Sequence, residues 1–541
     1  MPRVPASDRC VIGVDVGTGS ARAGVFDLDG RLLASAKHSI SLHRAVGSRV
    51  EQSSAEIWQA VASSVRSAVL EAGVRPESVA GIGFDATCSL VVIGADGRGL
   101  PVGDKDRQEL DIIVWMDHRA TEQAERINAT GHEVLRYVGG VISPEMEMPK
   151  LLWLKENRPE VFRSAAHFFD LTDFLTWKAT GSLARSSCTI TCKWNYIAHE
   201  SRWNPGYLAL IGLQELAENQ ARIGTDVVVP GAALDGGLTA QAASDFDLPA
   251  GTPVAAGLID AHAGGIGTVG VASDVTGTLG YVFGTSSCTM TTTTEPVFVP
   301  GVWGPYYSAM VPGLWLNEGG QSAAGAAIEY LVGLHPGHER FRAEAALENA
   351  SLPEWLARKA VEALSGAPLS SAVTLAKGLH VVPEFIGNRA PFADPKARAV
   401  IAGLGMEDDL QSLVALYVAG LCGLGYGLRQ IIDTQSEHGA PIKRIAISGG
   451  AGQAEIVRHI LADATGRPIV SGRSEQPVLL GSAILGAVAG GCQPDIVSAM
   501  QTMSSAQNTI DPVRGDIAET HQRRFAAFTE LQAKARSISG F

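Results

Sequence analysis

Three short glycine turns are the residues of this chain best suited to holding phosphate. Asp15-Val16-Gly17-Thr18-Gly19-Ser20 closes one apolar stretch, Gly284-Thr285-Ser286-Ser287 closes another, and Ser448-Gly449-Gly450-Ala451-Gly452-Gln453 follows a third. Such turns present backbone N–H groups and a hydroxyl to an anion. The flat backbone of the third, beside a helix start, allows close approach of a ribose or base. Two common phosphate folds are excluded. No GxxxxGK followed by Ser or Thr occurs, and the first turn lacks the third glycine of GxGxxG and leads into a strand where a dinucleotide fold requires a helix. Taken singly, the first turn also reads as an ordinary hairpin, and the third as tight helix–strand packing.

The elements that must position these turns follow from periodicity. Residues 11–16 are nearly all apolar, as in a strand buried on both faces. A second strand follows around Ala23 to Phe26, then the turn Asp27-Leu28-Asp29-Gly30 and a third strand from Leu32. Ile57, Ala60, Val61, Val65, Ala68 and Val69 at helical spacing predict a helix over Ser54–Ala72, leading to a buried strand over 79–84. The second half repeats the plan weakly: a strand over Thr278–Phe283, a glycine turn, a Thr-rich strand through Thr294, and later a strand over Arg444–Ser448, a turn and a helix over 453–465. An internal duplication is expected, with domains at 10–270 and 271–500 and a C-terminal helical extension at 501–541. The glycine-rich stretch 264–277 reads as a hinge between them, and residues of about 100–250 as an insertion shaping the substrate side.

A chain of 541 residues is too long for one ordinary core. Its 46% hydrophobic and 18% charged residues are globular composition, and a net charge of −13 disfavours nucleic acid and anionic membrane as partners. No apolar stretch precedes the first strand as a secretory signal would, and no run of about eighteen apolar residues suggests a membrane span. Seven scattered cysteines without a CxxC pair imply reduced thiols and a cytoplasmic location. Cys188 and Cys192 can share a helix face but lack a matching His or Cys pair for a metal site.

Together the three turns resemble the two phosphate hairpins and the adenosine loop shared by actin, hexokinase and sugar kinases. Gly257-Leu258-Ile259-Asp260-Ala261-His262-Ala263-Gly264 resembles the element on which kinases of the FGGY carbohydrate kinase family carry their catalytic base, so Asp260 inherits that role. A carboxylate at the end of an apolar strand, followed by small residues, suits acceptance of a hydroxyl proton, although an Asp there also suits a helix cap. Phe84-Asp85-Ala86-Thr87-Cys88-Ser89-Leu90 resembles the Asp-x-Thr segment of ribulokinases and lacks the Met-His-Gly of xylulokinases and the Asn-Gln-Arg of glycerol kinases. The stretch from Leu316 to Gly325, with Glu318 in it, is similar to the ribulokinase Glu-x-Gly-Gln-Ser segment. Cys192-Lys193-Trp194-Asn195-Tyr196 resembles the loop presenting a substrate lysine. Without the resemblance, Lys193 reads as solvated surface and Glu318 as a structural acid. Trp115-Met116-Asp117-His118-Arg119 resembles an element near the family's sugar pocket, though an ion pair explains Asp117 and Arg119 equally well. Glu147 departs from the family's first signature, on a helix expected to be remote from the chemistry.

The resemblance implies two actin-like, ribonuclease H-like α/β domains facing across a cleft, the first binding sugar and the second ATP. Thr87, Cys88, Lys193, Asp260 and Glu318 are the implied substrate-binding residues. Gly17, Thr18, Gly284, Thr285, Ser286, Gly449, Gly450 and Gln453 are the implied ATP-binding ones. Mg²⁺ is required to bridge the ATP phosphates, with Asp15 its protein-side partner through water. The expected reaction is phosphorylation of a ketopentose, foremost D-ribulose to D-ribulose 5-phosphate, with L-ribulose and ribitol open within the family. An actin-like or chaperone-like ATPase is the alternative from another class. The sugar is then the partner, nucleic acid and membrane are not, and a homodimer is compatible with the resemblance.

Overall fold

Val11, Ile12, Val14 and Val16 are all wholly buried, because the strand they form is flanked on both edges and covered on both faces. The computed structural model describes residues 9–45, 47–103, 107–272 and 274–538. Strand β1 (Cys10–Gly17) turns through Thr18 and Gly19 into β2 (Ser20–Asp27), with Gly17 opposite Ser20, and β3 (Leu32–Ser39) adds a third antiparallel strand. Helix α1 (Ser54–Ala72) is capped by Ser53, which accepts from the Glu56 N–H, and ends at the left-handed Gly73. Strand β4 (Val79–Ala86) then lies parallel to β1. The long insertion follows, containing α2 (Glu147–Asn157) and α3 (Ser187–Lys193). The short β5 (Leu258–Ile259) returns parallel to β4, and the chain passes directly into α4 (Asp260–Val269). The sheet order is β5-β4-β1-β2-β3.

The second half builds β6 (Thr278–Phe283), β7 (Ser287–Thr293), β8 (Trp303–Tyr307) and β9 (Trp315–Gln321), then α5 (Gly325–Gly333) and α6 (Leu410–Glu437). It continues with β10 (Arg444–Ser448), α7 (Glu455–Thr465), β11 (Ile469–Gly472), α8 (Pro477–Ala489), β12 (Ala506–Ile510) and the terminal α9 (Asp516–Ile538). Its sheet runs β8-β9-β7-β6-β10-β11-β12. Within it, β9-β7-β6-β10-β11 repeats the order and strand directions of β3-β2-β1-β4-β5. This is a duplicated actin-like fold. Helix α6 is long and apolar enough, by length and composition, to cross a membrane; 78% of its most apolar window is buried, where it packs among α5, α7 and neighbouring segments as a core helix.

The first six residues of the glycine-rich stretch expected to be a hinge are part of a packed helix. Residues 264–269 belong to α4, which lies against α8, and α8 in turn covers β1 and β4 of the first sheet. A Cβ on Gly267 would stand 2.0 Å from the Pro477 carbonyl oxygen, and one on Gly481 would stand 1.9 Å from that of Ala263. The small residues are there because two helix backbones touch.

Candidate active site

Parallel register brings three carboxylates together at the C-terminal ends of neighbouring strands. Asp15 on β1 pairs with Asp85 on β4, and Ile259, opposite Ala86, delivers Asp260 as the first residue of α4. Asp15 and Asp85 are buried. Arg22 Nε donates to Asp15 Oδ2 at 2.7 Å, and the Ser482 hydroxyl donates to Asp85 Oδ2 at 2.5 Å. Burial, and then the nearby Asp15 charge, raise Asp85 well above the ordinary carboxyl range. The same two causes lift Asp260 to about 6, against the pull of the Ala261 N–H, His262 and Lys193. Ala261 donates its N–H to Asp260 Oδ1 at 2.7 Å. A carboxylate poised near neutrality is well matched to general base work.

The residues expected to bind the sugar gather close by. Lys193 is the last residue of α3, not part of a loop as expected, because Ser186 caps that helix by accepting from the Cys188 N–H. Its ammonium lies 5.9 Å from the Trp303 ring centroid, and Trp303 is the register partner of Glu318 on β9. Burial works against the Lys193 charge, but the neighbouring Cys88 and Glu318 groups hold its pKa well above the usual lysine value. Burial also keeps the Cys88 thiol protonated, so Glu318 is the partner that carries charge at neutral pH. Glu318 is itself held down to about 2, His262 and Lys193 outweighing its burial. His262 Nε2 stands 3.4 Å from Glu318 Oε2. Thr87 is buried, its hydroxyl 3.2 Å from that of Ser89, while Cys88 is partly exposed.

One expectation changes here. Glu147 is not remote: it is wholly buried, pairs with Lys150 at 3.3 Å, and is raised to about 7 by burial, offset in part by the charges of Lys150 and Lys193. Asp117 and Arg119 form an ion pair beneath the surface. Arg119 Nη2 lies 2.6 Å from Asp117 Oδ2 and 2.7 Å from Glu51 Oε1, with the guanidinium over Trp153 and both side chains at most 2% exposed. Trp115 from the same segment donates its indole N–H to Thr18 Oγ1 at 3.0 Å and so braces the first glycine turn.

On the other side, Gly284, Thr285, Gly450 and Gln453 line a cavity of about 990 Å³ closed by residues of α5, α6 and α7, large enough for a nucleotide. The Thr285 carbonyl accepts the N–H groups of Ala324 and Ala326, seating the second turn against the start of α5. Gly449 adopts φ 94°, and a Cβ there would lie 2.3 Å from the Phe283 carbonyl oxygen, so only glycine fits between β6 and β10. Gly449 opens instead, with Gly450 and Gln453, onto a neighbouring cavity of about 900 Å³. Gly17, Thr18 and Ser286 lie outside the lining of the larger cavity.

Carboxylates at the strand ends of one actin-like domain and a glycine-walled cavity in its duplicate define a two-domain phosphotransferase. The chain belongs to the FGGY family of carbohydrate kinases: the family's N-terminal domain matches residues 10–267 and its C-terminal domain residues 279–490. It is 42% identical over 536 residues to the FGGY carbohydrate kinase domain-containing protein of Homo sapiens, covering 97% of this chain and 96% of that one. It is 39% identical over 510 residues to a D-ribulokinase of Saccharomyces cerevisiae, covering 88% and 71%. Among solved structures, a xylulose kinase from Rhodospirillum rubrum superimposes with a TM-score of 0.80 at 21% identity, over 98% of this chain and 100% of that one, a likeness of fold. The protein is a sugar kinase that takes ATP as phosphoryl donor.

His262, Arg22 and Ser482 are the residues of this region that the sequence did not single out. His262 stood within the quoted Asp260 segment, two residues on, and that spacing was its only signal.

Proposed function

We propose that this kinase transfers the γ-phosphoryl group of ATP to the terminal hydroxyl of D-ribulose, giving D-ribulose 5-phosphate. The observation that carries the reading is the grouping of Asp260 with Lys193 and Glu318, each within the electrostatic reach of another, in a chain 39% identical to a D-ribulokinase. Asp260 accepts the proton of the attacking hydroxyl, while Lys193 and Glu318 supply charged donors and acceptors for the remaining hydroxyls. The glycine turns hold phosphate oxygens through backbone N–H groups. The all-oxygen donor set of Asp15, Asp85 and Asp260 fits Mg²⁺, with Asp15 as its protein-side partner. Bound there with ATP, Mg²⁺ supplies charge neutralisation. Free, mostly buried cysteines among the described residues fit a cytoplasmic enzyme.

The test is a coupled ATP-turnover assay with D-ribulose, L-ribulose, D-xylulose and ribitol, the product being identified by its phosphorylated carbon. D-Ribulose is expected to give the highest kcat/KM. Preference for another sugar overturns the substrate, and ATP turnover indifferent to all four overturns the pentulose-kinase reading.

A further inference from the structure

Beside the sugar-side residues lies a cluster that phosphoryl transfer does not use. Cys188 and Cys192 stand one turn apart on α3, both wholly buried, and His262 on α4 meets them. Cys188 Sγ is 3.1 Å from His262 Nδ1, and the three ligand atoms lie within 4.8 Å of one another. The matching histidine missing from the sequence around the two cysteines is supplied by the fold. The other ring nitrogen of His262 faces the Glu318 carboxylate at 3.4 Å, the arrangement by which proteins orient metal-binding histidines. Burial opposes charge on both partners. Yet hydrogen bonding from Cys192 and the His262 charge bring the Cys188 thiol down, and Cys188 and Glu318 bring His262 up.

We propose that Cys188, Cys192 and His262 form a binding site for a thiophilic divalent cation of the zinc class, and that its occupation suppresses sugar phosphorylation. Two sulfurs and one nitrogen favour such a cation over Mg²⁺, so the site does not compete for Mg·ATP. The exchange balances: one divalent cation enters, the two cysteines bind as thiolates and His262 as neutral imidazole, the protons they carried pass to solvent, and the three side chains with the cation sum to zero charge. Tetrahedral zinc with metal–sulfur and metal–nitrogen bonds of about 2.3 and 2.0 Å holds its ligands roughly 3.5–3.8 Å apart, whereas Cys188 Sγ and His262 Nδ1 now stand 3.1 Å apart. Occupation thus widens the Cys188–His262 contact and shifts α3 against α4. Lys193 directly follows Cys192 and Asp260 precedes His262 by two residues, so this shift displaces the proposed substrate lysine against the base. A shift of about 1 Å costs on the order of a hundredfold in rate.

The inhibitory half rests on the pentulose-kinase reading, and the site itself does not. Reduced full-length protein is titrated with Co²⁺ and then Zn²⁺, and D-ribulose phosphorylation at saturating Mg·ATP is followed alongside. The expected result is a thiolate-to-cobalt charge-transfer band saturating at one equivalent and displaced by zinc. Zinc should also lower activity by roughly ten- to a hundredfold, with recovery on adding a chelator that takes zinc and spares magnesium. Cys192→Ser should keep metal-free activity, weaken cobalt binding by at least about tenfold and resist zinc, and Cys192→Ala provides the same comparison if the serine variant folds poorly. No charge-transfer band in the wild type overturns the site. Equal zinc inhibition in the Cys192 variants, a cobalt band with unchanged activity, or a loss reversed by thiol reductant alone overturns the inhibition. A protein that binds cobalt but phosphorylates no pentulose even without metal keeps the site and loses the kinase reading.

Discussion

Arg22 Nε donates to Asp15 Oδ2 at 2.7 Å while its Nη1 donates to Gln476 Oε1 at 3.0 Å, so one side chain ties the acidic strand ends of the first domain to the start of α8. Asp15 is only 2% exposed and has Asp85 and Asp260 as neighbours. Arg22→Ala leaves that carboxylate without its hydrogen-bonded cation and is expected to destabilise the fold by about 1–3 kcal/mol. Mg·ATP should stabilise the variant more than the wild type, since a second cation then stands in for the first. Thermal unfolding with and without Mg·ATP measures both. Identical Tm values for the two proteins in metal-free buffer would show that the pair is incidental.

The pKa of Asp260, raised to about 6, fixes the sign of the pH dependence. Only the carboxylate accepts a proton, so kcat/KM for the sugar should be flat above that value and fall roughly tenfold per unit below it. Asp260→Asn should lower kcat by on the order of a hundredfold or more and abolish this limb. Stability moves the other way. A carboxyl whose pKa is higher folded than unfolded binds its proton more tightly in the native state, so its contribution is lost as pH rises from about 4 through 6. The asparagine variant should therefore be no less stable than wild type at pH 8, and a variant that loses activity together with Tm would mark Asp260 as structural.

Local signals gave the framework of the fold, and long-range register gave the site. The helix Ser54–Ala72 and the strands Thr278–Phe283 and Arg444–Ser448 follow from apolar periodicity and from caps within a few residues. The meeting of Asp15, Asp85 and Asp260 depends on parallel pairing between segments far apart in sequence, which no local pattern encodes. Lys193 read as part of a loop because the segment Cys192 to Tyr196 resembles the loop presenting a substrate lysine; the Ser186 cap and the burial of the residues before it carry the helix through Lys193. Glu147 read as remote because its distance from Lys193 is set by the packing of α2 and α3. Glycine in sequence does not distinguish a swivel from a close contact, and here the contact is what the fold needs.

That distinction is open to measurement on a single helix. A Cβ on Gly267 would meet the Pro477 backbone at 2.0 Å, whereas on Gly264 its nearest neighbour is a Val478 methyl at 3.3 Å. Gly267→Ala should cost about 1–3 kcal/mol by forcing α4 and α8 apart, and Gly264→Ala should be neutral or gain up to about 1 kcal/mol from helix propensity. Urea unfolding of both variants tests this. A hinge would instead leave both midpoints unchanged and alter kcat and KM together.

The last expectation concerns how Lys193 and Glu318 divide the work of sugar recognition. Glu318 is kept ionised to about pH 2 by His262 and Lys193 against its burial, and Lys193 stays protonated in return, so both present full charge to a hydroxylated ligand. Charged partners make hydrogen bonds roughly twice as strong as neutral ones. Lys193→Ala and Glu318→Ala should each lower kcat/KM for D-ribulose by roughly ten- to a thousandfold, equivalent to about 1.4 to 4 kcal/mol, with KM for ATP nearly constant because neither residue lines the cavity expected to take the nucleotide. Discrimination should relax as well: a site that penalises an analogue for leaving its polar groups unpaired loses that penalty with the group. Glu318→Ala should also lower the pKa of His262, whose imidazolium it helps to stabilise, a change visible in an NMR titration that a merely structural carboxylate, without charge coupling to the ring, would not produce. Unchanged sugar kinetics in both alanine variants would remove the chemical basis for assigning a pentulose to this site.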